Sequence, residues 1–266
     1  MTQVEVTQGT GPIVLGMPHT GTHVPEEIAY DLNENGRALA DADWHIDRLY
    51  SGLLPDATTV RATFHRYVID ANRDPAGVSL YPGQNTTTLV PLTDFDGVSI
   101  WNTPPTEGEI ARRRDVFHTP YHAALRAELD RVKAIHGVAI LYDCHSIRSE
   151  IPFLFDGTLP DFNIGTNLGP TCASEVEAVV TDICRAAKGY STVVNARFKG
   201  GWTTRHYGQP DAGIHAIQME LAQSTYLTAE APPWGFDAAK ADRLRDHLAH
   251  ILSALQTIAP TLGGSR

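Results

Sequence analysis

Cysteine is scarce in this chain and poorly placed for cross-linking. There are three, Cys144, Cys172 and Cys184, and no two form a CxxC pair. That pattern speaks against a disulfide framework and against a cysteine-built zinc site. Long hydrophobic runs are missing as well. No apolar stretch approaches the roughly 18–20 residues that a bilayer-crossing helix needs, so no membrane partner is expected. The opening MTQVEVTQGTGP has neither a basic region nor an apolar core. It does not look like a secretory signal, and the expectation is a reduced, cytoplasmic protein. A long Lys/Arg-rich run is absent too. Twenty-one basic residues face 31 acidic ones, a formal net charge of −10, which argues against nucleic acid as a partner. The motifs GxSxG, GxGxxG, GxxxxGK[ST] and HExxH do not occur. A serine-hydrolase elbow and a phosphate loop are therefore unsupported.

What is present is an alternation. The 266 residues suit one large domain spanning 1–266, or at most two small ones. GPIVLGMPHTG reads as a buried strand and turn, and TTVRATFHRYVIDANRDP as a strand running into a polar turn. The stretch 109–137 has helical spacing and ends at Gly137; a strand over 138–142 follows. A helix near 173–189, strands in STVVNARF and GIHAIQMELA, and an amphipathic carboxyl-terminal helix complete the pattern. Strands that alternate with helices imply an α/β fold with a largely parallel sheet covered on both faces. Residues 76–108, rich in Gly, Pro, Thr and Asn, read as a wall or lid of a pocket.

Chemistry-bearing residues gather where these strands end. VAILYDCHSIRS leads from an apolar segment into Asp143, His145, Ser146 and Arg148. Buried charge is costly unless paired or bound, and α/β sheets hold their ligands at strand ends. His19 follows the first strand, Asn72 and Arg73 follow another, and Glu220 lies on a late strand. Asp43 and Asp47 stand four apart on a segment of helical spacing, so one face would carry both. Cys144 and His145 are neighbours on an extended segment and point to opposite faces, so they cannot be a nucleophile–base pair. Two histidines at strand ends, nearby acids and a late glutamate suit a catalytic zinc with an open coordination position.

The segments DADWHIDRLY, RYVIDANRDP, SLYPGQNTTTLVP, YDCHSIRSEIPFLFDGTLPDFNIGTN, NARFKGGWTTRHYGQP and HAIQMELAQSTYL resemble the signatures of the N-formylglutamate amidohydrolases. The likeness runs in order over residues 11–230. More distantly, VIDANRDP and QMELA are similar to the substrate-gripping and catalytic-glutamate segments of zinc carboxypeptidases. The resemblance implies a three-layer α/β/α sandwich with a mixed, mostly parallel sheet. It implies one Zn2+ per chain and the conversion of N-formyl-L-glutamate to formate and L-glutamate in histidine degradation. By the same likeness His19 and His145 are metal ligands, Glu220 the general base, and Asn72 and Arg73 grip a carboxylate. The carboxypeptidase glutamate three residues after the first histidine is replaced here by Thr22. Asp47 is the favoured replacement. Asp43 is the close alternative, or else orients a histidine from outside the coordination shell.

Such a substrate brings two carboxylates into an acidic protein, and arginine forks suit them better than lysine. Arg73, Arg148, Arg197, Lys199 and Arg205 are the available cations. Arg148 or Arg73 is expected to stabilise the oxyanion, a contribution of about 3 kcal/mol when preorganised. Two further readings share these residues: a zinc hydrolase of another N-acyl amino acid or small peptide, and a non-catalytic amino-acid-binding protein.

Overall fold

The computed structural model describes residues 2–80 and 83–263. The first sequence signature of the 76–108 loop includes Tyr81 and Pro82, which lie outside the described residues. Seven strands form one sheet: β1 (Val4–Thr7), β2 (Ile13–Met17), β3 (Thr58–Ala62), β4 (Ala139–Ile147), β5 (Phe162–Gly165), β6 (Thr192–Val194) and β7 (Ile214–Ala222). Their order is β1-β3-β2-β4-β7-β5-β6. The β1–β3 and β5–β7 pairs are antiparallel and the other four pairings parallel. The sheet is therefore mostly parallel, as the alternation implies, and mixed, as the family resemblance implies.

Three short helices, α1 (Glu26–Asp31), α2 (Glu34–Arg37) and α3 (Ile46–Tyr50), precede β3. Then come α4 (Glu107–Arg113), a π-helical turn (Arg114–His118) and α5 (Thr119–His136). The rest are α6 (Ser174–Ala186), α7 (Trp202–Tyr207) and α8 (Ala238–Leu262). Gly137 ends α5 in the left-handed conformation, its N–H donating to the carbonyl of Lys133, the close that glycine permits at little cost.

Strand alternation divides the core into two layers. Ile13 and Leu15 of β2, Ile140, Tyr142 and Cys144 of β4, and Met219 and Leu221 of β7 pack with α3, α6 and α8. Val14, Ala139, Leu141 and Ala216 face the other way, against Tyr121, Leu125, Leu129 and Val132 of α5. This is the expected three-layer α/β/α arrangement. No helix among the described residues is long and apolar enough to cross a membrane.

One strand runs farther than its apolar run suggests. β4 continues past Tyr142 to Ile147, and every residue of it is buried. Its pairing with β7 continues through Asp143–Gln218 and His145–Glu220. The backbone ladder thus holds these polar residues in regular extended conformation inside the protein. Between β3 and α4 the described residues form no regular helix or strand.

Candidate functional site

β2, β4 and β7 are mutually parallel, so His19, His145 and Glu220 meet at one edge of the sheet, the carboxyl end. Position parity decides the face. Asp143 and His145 on β4, with Gln218 and Glu220 on β7, continue the face that Leu141 and Ala216 begin. Cys144 goes to the opposite core, as extended geometry requires.

The acid that joins the two histidines is Asp43. Its Oδ2 lies 3.1 Å from His145 Nδ1 and 3.7 Å from His19 Nδ1. Its backbone N–H donates to the carbonyl of His19, and Ser146 N–H donates to Oδ2. Donor atoms of His19, Asp43 and His145 lie within 4.8 Å of one another, all on buried residues. The favoured sequence choice, Asp47, is elsewhere. It is 42% exposed, with its Oδ2 3.1 Å from Arg61. The reason is a break in the helix that the spacing suggested. α3 starts only at Ile46, and His45 before it is left-handed, with φ 59°. Asp43 therefore lies outside the helix and turns inward, while Asp47 faces out.

The outer edges of both imidazoles are also held by acids. His19 Nε2 donates to Asp70 Oδ1 at 2.7 Å, and Asp143 Oδ1 lies 3.1 Å from His145 Nε2. Asp70 in turn accepts from Arg66 at 2.6 Å, and Asp143 from the Thr204 hydroxyl at 2.9 Å. Carboxylates behind metal-binding histidines fix ring orientation and raise ligand basicity. Burial pulls the His145 pKa down, but Asp143 and Asp43 outweigh it and raise the pKa well above the usual value. Burial pushes Asp43 up, yet the His145 hydrogen bond and the nearby His19 ring hold it below the ordinary carboxylate range. The site stabilises positive charge between the rings. A buried two-nitrogen, one-carboxylate donor set with supported rings fits a divalent metal of the zinc type.

His19 and His145 open into a cavity of about 630 Å³, the open space at its mouth included. Glu220 lines it, and burial pushes its pKa up to about 8. Gln218 Nε2 donates to Glu220 Oε2 at 2.9 Å and fixes the carboxylate. Asn72, Arg73 and Arg197 also line the cavity. Asn72 Nδ2 is 3.1 Å from His145 Nε2, and its Oδ1 accepts from Thr203 N at the start of α7. Gly201 makes that approach possible, since a Cβ there would stand 2.3 Å from Asn72 Nδ2. Arg73 is braced by the carbonyl and hydroxyl of Thr87, and Arg197 by the carbonyls of Leu154 and Asn85. The 76–108 loop thus supplies part of the wall, as its composition suggests.

Three of the expected cations are not among the described residues that line the cavity. Arg148 turns to Asp96, at 2.8 Å. Arg205 folds back so that its Nε donates to the carbonyl of Gly200. Lys199 follows Phe198, which does line the wall. Conversely, Asp70, Asp143, Gln218 and Arg66 belong to the site without having been assigned a role in it. Asp143 and Gln218 carry a readable signal: each stands two residues before a recognised site residue, His145 or Glu220, on a strand, where that spacing means the same face. Asp70 stands on irregular chain, where the spacing to Asn72 announces no shared face.

Fold and site together define an α/β protein with a metal-competent His–Asp–His group at the carboxyl edge of its central strands. The chain belongs to the N-formylglutamate amidohydrolase family, whose pattern matches residues 11–227. It is 44% identical over 252 residues to an N-formylglutamate deformylase from Pseudomonas aeruginosa, covering 93% of this chain and 94% of that protein. A second N-formylglutamate deformylase, from Pseudomonas putida, is 43% identical over 251 residues, 93% of each chain. The crystal structure of an N-formylglutamate amidohydrolase from Ralstonia eutropha superposes with a TM-score of 0.79 at 25% identity, covering 96% of this chain and 97% of that one.

Proposed function

We propose that this chain, acting through one hydrolase domain, cleaves N-formyl-L-glutamate to formate and L-glutamate. The observation that carries this reading is a single cavity onto which His19, His145 and Glu220 open beside Arg73 and Arg197. Family membership and two N-formylglutamate deformylases of more than 40% identity support the substrate. With that substrate the chain takes a place in histidine degradation.

In this reading His19, Asp43 and His145 hold one zinc ion. Bound there, the ion supplies Lewis acidity for water activation and for the carbonyl oxygen. Glu220 is the proton carrier. Its carboxylate accepts a proton from water and returns it to the departing amine, and a pKa near neutrality suits both steps. Gln218 keeps the carboxylate aimed throughout. Arg73 and Arg197 take the two substrate carboxylates, with Asn72 alongside. Both guanidiniums are held by backbone carbonyls, so little side-chain freedom is lost when the substrate arrives. Arg66, already paired with Asp70, keeps the neighbourhood of the rings from accumulating unbalanced negative charge.

The test joins metal content to chemistry on one sample. Zinc per chain is measured, then formate release from N-formyl-L-glutamate is followed before and after chelation and after zinc is restored. One equivalent of metal with reversible loss of formate release is the expected result. Robust hydrolysis by metal-free protein overturns the mechanism. Bound zinc with no formate release overturns the substrate.

A further inference from the structure

The segment 68–73 carries Asp70, Asn72 and Arg73, yet it belongs to no helix or strand. Val68, Ile69, Asp70, Ala71 and Asn72 are all buried. Buried irregular backbone has no ladder to satisfy its carbonyls, so partners must come from elsewhere. Arg73 itself serves the carbonyls of Asp70 and Asn72, and for Val68, Ala71 and Arg73 the partners are side chains of one continuous helical rod. Arg113 donates from an Nη to the carbonyl of Val68 at 3.3 Å. His122 Nε2 stands 2.8 Å from the carbonyl of Ala71, and His118 Nε2 stands 3.0 Å from the carbonyl of Arg73. A carbonyl only accepts, so both imidazoles donate from Nε2.

The spacing of these donors matches the shape of the rod. His118, which closes the π-helical turn, and His122 on α5 are four apart, one helical turn. Arg113 and His118 are five apart, which in a regular α-helix would turn them some 140° away from each other. The π-helical turn Arg114–His118 lies between them. One π turn takes up the additional residue and returns His118 to the face of Arg113. Burial keeps the two histidines in place. Their rings are 4.3 Å apart, and Trp202 covers His122 at 4.7 Å. His136, farther along α5, also donates to a carbonyl, that of Thr10, away from this segment.

We infer that Arg113, His118 and His122, aligned by the π turn, are positioning residues that clamp the 68–73 backbone and thereby set Asn72 and Arg73 for the substrate. The clamp rests on the proposed function only for what Asn72 and Arg73 grip; its effect on the backbone does not. A flexible segment would leave Arg73 free to miss the substrate carboxylate, and misplacements of this kind cost on the order of 10- to 100-fold in rate.

The experiment compares His118→Leu and His122→Leu with His118→Gln and His122→Gln in the metal-loaded enzyme. Glutamine keeps an N–H donor at similar reach, and leucine removes it. Two readouts are taken: kcat and KM for N-formyl-L-glutamate, and amide hydrogen exchange across residues 68–74. The leucine variants are expected to raise KM about 10-fold or more, with a smaller change in kcat, normal metal content and faster exchange across 68–74. The glutamine variants recover both properties, and His136→Leu changes neither. Leucine variants with wild-type KM, or with wild-type exchange across 68–74, overturn the clamp. If the unaltered enzyme releases no formate, the substrate reading fails, and hydrogen exchange alone still decides the clamp.

Discussion

The two faces of β4 and β7 are opposite in chemistry although both are buried. Toward α6 and α8 the strands present Tyr142, Cys144, Met219 and Leu221, every one fully buried among apolar neighbours. Toward α5 and α7 the same strands present Asp143, His145, Gln218 and Glu220, also buried. One face gains stability from apolar area removed from water, about 25 cal/mol per Å². The other retains desolvated acids and a histidine, which are tolerated only because each has a partner. Neighbouring residues on one strand therefore do opposite work, and the pleat keeps the two apart.

That division gives a ranked set of expectations. The largest effect is His145→Ala. It removes one donor and leaves Asp43 and Asp143 buried without the ring between them, so metal is lost and turnover falls below detection; metal analysis and formate release check this. Next is Glu220→Gln. Loss of the proton carrier should cost about 10²- to 10⁴-fold in kcat with metal retained. The melting temperature should hold or rise, because a buried amide costs less than a buried carboxylate. Leu248→Ala on α8 should do the reverse. A fully buried leucine is truncated, which costs about 2–5 kcal/mol of stability by denaturant titration. With the cavity far off on the other face, kcat/KM should stay within about twofold.

A smaller effect separates two buried histidines by pH. Burial, with the Arg66 charge adding to it, depresses the His65 pKa to about 3. The opposite shift of His145 comes from the acids at both its nitrogens. Because His65 is depressed below its unfolded value of 6.5, its contribution to stability is complete above about pH 6.5. It is lost progressively as pH falls toward 3, since only the unfolded chain takes up the proton. Replacing His65 with Asn should flatten the decline of melting temperature over that window. An unchanged slope would assign the decline to other groups.

Much of this architecture is legible in the chain itself. The alternation of strands and helices gives the mostly parallel sheet covered on both faces, and the quoted strand-end segments do converge on one cavity. What escapes has physical causes. The apolar run of β4 stops at Tyr142, so the strand reads short, although pairing with β7 carries it to Ile147. β1 and β5 are four residues each, too short for a period to show. Asp43 and Asp47 look like one helical face because nothing in DADWHIDRLY announces that His45 turns left-handed. The guanidiniums are harder still. Nothing in the sequence around Arg148, Arg197 and Arg205 ranks them, and only tertiary contacts decide that Arg197 reaches the cavity while Arg148 meets Asp96.

The central claim is that the buried polar face, through Asp43 rather than Asp47, holds the metal on which turnover depends. Metal content and formate release of Asp43→Asn and Asp47→Asn, measured side by side, address it most directly. The account predicts that Asp43→Asn loses both. It predicts that Asp47→Asn, at an exposed ion pair worth about 1 kcal/mol or less, keeps both. Metal and activity retained in Asp43→Asn but lost in Asp47→Asn would contradict it.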